Sequence, residues 1–220
     1  MIDFKSVKQE IKNDYRKIAI VHYSCSSTEI PDIGISSICV YPINETPIVF
    51  SRLDHKTELS MLKLFWSFIL RRNYVLVGWN MNNSTKFNLG IIKNRYNKLS
   101  KTKINEIPKV TDLDDLITQE YSTPGNVPEK LLKYAKINSI TTRGFVNGFD
   151  ELKLFDDKKF QELNSSVERK CKVVRQILNK YIDGSLKVIE YREAIKKKLF
   201  KLALKQGIKI LQYKVTNHVL

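Results

Sequence analysis

The chain has 220 residues, with 38 Lys and Arg against 23 Asp and Glu, for a formal net charge of +15. An apolar share of 42 % supports a real core in one domain, with or without an appendage, and excludes intrinsically disordered, collagen-like and disulfide-scaffold classes. The longest apolar-rich stretch, Met61 to Leu70, is too short to span a bilayer and is broken by Lys63 and Ser67, so no membrane partner is expected.

Residues Met1 to Arg16 place Phe4, Val7, Ile11 and Tyr15 at helical spacing. The N-terminus lacks the apolar run of a signal peptide, and an intracellular, cytoplasmic location is expected. Lys17 to Cys25 is dense in β-branched and aromatic residues and predicts a buried strand. After Pro31, Ile33 to Tyr41 predicts a second strand, and a turn at Pro42 leads into a third at Pro47 to Arg52, completing an antiparallel meander. The period then changes. Leu59, Leu62, Phe65, Trp66 and Ile69 predict a helix over Lys56 to Arg71, followed by a short strand from Tyr74 to Gly78, which a crossover helix makes parallel.

Beyond an Asn-rich loop, helices are predicted at Phe87 to Leu99, Asp114 to Glu120, Pro128 to Lys136 and Phe160 to Tyr181, with one more strand at Pro108 to Leu113. The tail from Glu190 to Gln206 reads as a basic amphipathic helix, and Gly207 to Val215 as a strand or extended arm. The order predicts an α/β fold with a mixed sheet. Three segments are expected: an N-terminal helix (1–16), a central domain (17–182) and a basic C-terminal extension (183–220).

Charge is uneven along this layout. Ser165 to Leu220 carries fourteen Lys or Arg and four Asp or Glu, and Lys86 to Lys103 carries six bases and no acid. Such asymmetry points to a polyanionic partner. The candidate nucleic-acid-binding residues are Asn83, Lys86, Lys93, Arg95, Lys196, Lys197, Lys198, Lys201 and Lys205. Aromatics among the bases, namely Phe87, Tyr96, Tyr191, Phe200 and Tyr213, are candidate stacking platforms that compete with an ordinary core role. Cys25, Cys39 and Cys171 cannot all pair, and with the scattered His22, His55 and His218 they form no zinc spacing, so they read as reduced thiols.

Several segments resemble the proofreading 3′-5′ exonuclease domains of the DEDD superfamily, those of family-B DNA polymerases above all. Ile35-Ser-Ser-Ile-Cys-Val-Tyr-Pro42 is similar to that domain's second strand, and Glu58 to Trp66 to the helix after its meander. Leu76-Val-Gly-Trp-Asn80, through Phe87-Asn88 to Arg95-Tyr96, is similar to its second motif, with the Gly78-Trp79-Asn80 triplet displaced by three residues. Val110-Thr-Asp-Leu113 is similar to the next strand, and Val167 to Leu178 to the helix of the third motif. The resemblance covers about residues 17 to 182. It implies a ribonuclease-H-like sheet, three antiparallel strands followed by parallel ones, flanked by helices.

It also implies four carboxylates that hold two divalent ions, and at each place this chain departs. The Asp-x-Glu of the first motif falls on His22 and Ser24 in one register or on Tyr23 and Cys25 in the other. The Asp of the second falls on Asn88. The Tyr-x-x-x-Asp of the third falls on Val167 and Cys171. The expectation is therefore a catalytically inactive exonuclease-like protein that needs no metal. It would bind a single strand or 3′ end of DNA or RNA and serve as a non-catalytic subunit beside a polymerase, nuclease or defence effector. The alternatives are a pure protein-interaction scaffold, or an active Mg- or Mn-dependent exonuclease with rearranged acids drawn from Glu29, Asp32, Asp112 and Asp115. Asp112 ends a predicted strand, where it equally caps the helix that follows, and Asp114 and Asp115 lie in that helix's first turn.

Overall fold

Eight consecutive residues, Ile18–Cys25, form strand β1 and all are buried, His22 and Ser24 included, because helices cover both faces of the sheet. The computed structural model describes residues 3–26, 33–81, 88–124, 127 and 129–189. β1 pairs antiparallel with β2 (Ile35–Pro42), His22 opposite Cys39, and β2 pairs antiparallel with β3 (Ile48–Ser51). On its other side β1 runs parallel to β4 (Val75–Gly78), which runs parallel to β5 (Val110–Asp112). The order β3-β2-β1-β4-β5 is the expected ribonuclease-H-like arrangement, an antiparallel meander extended by parallel strands.

Side-chain alternation sends β1 to two cores. Ala19, Val21, Tyr23 and Cys25 join the core under helices α2 (Glu58–Arg72) and α3 (Leu89–Leu99). Ile18 and Ile20 join the other, with Cys39 and with residues of α4 (Leu113–Tyr121), α5 (Lys130–Ile137) and α7 (Phe160–Asp183). Helix α1 (Phe4–Asn13) buries none of its residues fully but rests Ile11 on this second core. Thr57 and Ser60 close a capping box on α2, and Asn73 ends that helix in the left-handed conformation.

One helix, α6 (Gly148–Asp156), has no counterpart among the predicted elements. Four of its nine residues are apolar, but the one it buries is the charged Glu151, and Gly148 opens it. The available signal was at its start: Asn147 caps the N-terminus by accepting from Asp150 N–H at 2.9 Å, with Asp150 and Glu151 in the first turn. Past α7 the chain turns at Gly184 (φ +79°), and Leu186, Val188 and Ile189 still pack on the second core. Asn138 brackets the Lys187 backbone there, donating to its carbonyl at 2.9 Å and accepting from its N–H at 2.8 Å.

The predicted basic helix at Glu190 to Gln206 and the stretch Gly207 to Val215 lie outside the described residues. So do Lys196, Lys197, Lys198, Lys201, Lys205, Asn83, Lys86, Phe87, Glu29 and Asp32. No helix among the described residues is long and apolar enough to cross a membrane.

Candidate functional site

In open α/β sheets, ligands bind in the crevice outside the carboxyl ends of the parallel strands. Here that crevice is a cleft of about 510 Å³ beyond β1, β4 and β5, lined by His22, Trp79, Asn80, Asp114, Lys130 and Lys170 among others. Gly78 ends β4 because a Cβ there would lie 2.6 Å from the Met81 sulfur. The chain then turns through Trp79 and a left-handed Asn80 (φ +53°). Asp112, at the end of β5, fastens this turn: its carboxylate accepts from the N–H groups of Asn80 at 3.0 Å and Met81 at 2.5 Å. The same carboxylate caps α4 by accepting from Asp114 N–H at 3.0 Å and Asp115 N–H at 3.4 Å. Burial, with the Asp115 charge, raises the Asp112 carboxyl from its usual range, and the Met81 and Asn80 amides pull it back.

Two lysines sit in the walls of the cleft, each against a carboxylate. Lys130 of α5 lies 2.5 Å from Asp114 of α4 and donates to Thr118 Oγ1 at 2.6 Å. Lys170 of α7 lies 2.7 Å from Glu151 of α6, and the other oxygen of that carboxylate accepts from Ser166 Oγ at 2.6 Å. Both lysines are almost wholly buried, at 6 % and 5 % exposure, a placement that long cations take only when paired. Burial raises the Asp114 carboxyl from its usual range against the opposing pull of the Lys130 ammonium. His22 is held neutral: burial, and then the Lys170 charge, push its imidazole well below the ordinary histidine range.

The structure distributes the sequence candidates as follows. His22 faces the cleft, and Ser24 is buried two residues on along the same strand. Tyr23 and Cys25 belong to the opposite core. There the Tyr23 hydroxyl donates to the Asn88 carbonyl at 3.1 Å, and burial pushes the Cys25 thiol up to about 12. Asn88 is the N-cap of α3, its side chain accepting from Gly90 N–H at 2.8 Å. Cys171 does not reach the cleft. It is fully buried on α7, its sulfur donating to the Cys39 carbonyl at 3.6 Å, and burial raises its thiol well above the usual range.

The residue of α7 that lines the cleft is Lys170, which shares Glu151 with Ser166 one turn before it; the two stand one residue ahead of Cys171 and Val167. Arg95 is engaged by the carboxylate of buried Glu58, through Nε at 2.9 Å and Nη2 at 2.7 Å. Lys93 is half-buried and donates to the Asn105 carbonyl at 2.8 Å.

No protein-family model and no curated protein matches the sequence. Among solved structures, the crystal structure of the Aedes aegypti Nibbler EXO domain is similar to this chain, with a TM-score of 0.36 and 9 % identity over 84 % of this chain and 91 % of that one. A likeness at that level carries no argument, and the fold stands on strand order and register.

The resemblance in sequence implies two divalent ions, and the donors at this cleft do not fit them. Such ions require several anionic oxygens on each. Of the carboxylates here, Asp114 and Glu151 are each held by an ammonium group and Asp112 is turned to backbone amides, which leaves Glu129, exposed at the start of α5, as a single carboxylate for two ions. Among the described residues no three His, Cys, Asp or Glu side chains gather at one point.

Proposed function

We propose that this protein binds nucleic acid through an exonuclease-like fold without hydrolysing it. One observation carries the reading: both buried carboxylates at the cleft beyond β1, β4 and β5 are paired with lysines, Asp114 with Lys130 and Glu151 with Lys170, and among the described residues of its lining the exposed Glu129 is the one carboxylate without such a cation. Phosphoryl-transfer sites built on two metals need those carboxylates to bind the ions that activate water and stabilise the leaving oxygen.

The charge distribution supports the other half of the reading. A +15 chain whose excess lies mainly beyond residue 165 has the electrostatic footprint of a polyanion binder. In this reading Lys93, Lys86 and the lysines of the tail, Lys196, Lys197, Lys198, Lys201 and Lys205, contact phosphates, and Arg95 holds Glu58 and the helix that carries Lys93 in place. The protein then works as a non-catalytic subunit that keeps a single strand or a 3′ end.

Fluorescence anisotropy with labelled single-stranded DNA and RNA tests this. Affinity should fall linearly in log–log form with salt, and reversing Lys198, Lys201 and Lys205 to Glu should flatten the slope by about 2. No detectable affinity at low salt, or a slope unchanged by the reversals, would overturn the binding claim or the claim for the tail respectively.

A further inference from the structure

The two buried lysines do more than fill space, because each ties together two consecutive helices at the rim of the cleft. Lys130 joins α5 to α4 through Asp114, and Lys170 joins α7 to α6 through Glu151. A buried carboxylate is costly unless a cation and hydrogen bonds compensate it, and here each has both. Asp114 has the Lys130 ammonium and, at 3.4 Å, the Thr118 hydroxyl; Glu151 has the Lys170 ammonium and the Ser166 hydroxyl. Lys170 also lies 5.3 Å from the centre of the Phe145 ring, which favours a cation at that point.

The geometry points to Lys130 and Lys170 as resident cations of this cleft: covalently attached ammonium groups that neutralise its carboxylates in place of a dissociable divalent ion. A cation fixed to the chain cannot be diluted or chelated away. A divalent ion would have to displace it from contacts of 2.5 and 2.7 Å and leave a buried ammonium uncompensated. The cleft is thus insensitive to divalent cations while the lysines are present, and becomes sensitive when one loses its charge. The inference rests on the same charge-balanced cleft as the proposed function, and because its readout is melting without nucleic acid, its failure is told apart from a failure of binding.

The test follows thermal unfolding of the full chain in chelator and in millimolar Mn²⁺ or Mg²⁺. The wild-type melting temperature should be the same in all three. Lys170→Met keeps the length of the side chain and removes its charge. It should melt about 10 °C lower in chelator, and Mn²⁺ should recover part of the loss. The double variant Lys170→Met with Glu151→Gln should regain stability without Mn²⁺ and lose the response to it. If Lys170→Met does not fold, folding of the double variant supports the proposal and a double variant that also fails overturns it. Lys130→Met gives an independent reading at Asp114. A saturable rise of the wild-type melting temperature with Mn²⁺, or a Lys170→Met protein as stable as wild type, would also overturn it.

Discussion

Asp112 does structural work at the edge of the cleft. Its position at the end of a strand beside the cleft suits a metal ligand, and its oxygens collect backbone N–H groups from the turn after β4 and from the first turn of α4. Asp112→Ala should therefore cost about 2 kcal/mol in urea unfolding, the loss of a helix cap together with buried amides left unpaired. At His22 the effect is one of pH. The folded imidazole is held neutral well below the ordinary range, so below about pH 6.5 the unfolded chain takes up a proton that the folded chain does not, and stability falls as pH falls. Urea unfolding at pH 7 and pH 5.5 should show wild type losing stability relative to His22→Gln, with a limiting slope of about 1.4 kcal/mol per pH unit. The cysteines offer a third check. All are buried, and burial pushes the Cys25 and Cys171 thiols up, so a disulfide-exchange reagent should find no reactive thiol in the folded protein and three in denaturant.

Among the elements, the joint between α2 and α3 depends on Glu58. Its carboxylate receives Arg95 twice and the Ile35 N–H at 2.7 Å, joining two helices to the start of β2. Glu58→Gln leaves Arg95 without its counter-charge and should lose about 3 kcal/mol in denaturant unfolding; a loss below about 0.5 kcal/mol would mean the pair behaves as a surface pair. Every described strand and most helices were legible as sequence, the helices by apolar residues at a period of 3.6 and the strands as short runs rich in β-branched and aromatic residues, with His22 and Ser24 the polar members of β1. The rest was hidden for physical reasons. Helix α6 is short and opens on glycine, and the residue it buries is the charged Glu151 rather than an apolar one. On α7, Ser166 and Lys170 are as buried as Val167 and Cys171, so hydrophobic pattern alone could not show which pair faces the cleft. Lysines in a sequence read as solvated charge, and their burial depends on carboxylates 16 and 19 residues away.

For the whole molecule, the sheet and its two cores set a scaffold, while the positive excess lies mainly in the last quarter of the chain. Under the proposed function this segregation divides the labour, the fold holding a cleft with paired buried charges and the basic segments attracting phosphates. The residues that the resemblance marks as catalytic are absorbed into that scaffold: Asn88 caps α3, Cys171 packs on Cys39, and His22 stays neutral beside Lys170. The direct measurement is incubation of the full chain with 5′-labelled single-stranded DNA and RNA in Mg²⁺, in Mn²⁺ and in chelator, followed on a sequencing gel alongside a binding assay of the same samples. The expected result is full-length strands under all three conditions, bound with the same affinity with and without metal. Metal-dependent shortening from the 3′ end, abolished by Asp112→Ala, would contradict it.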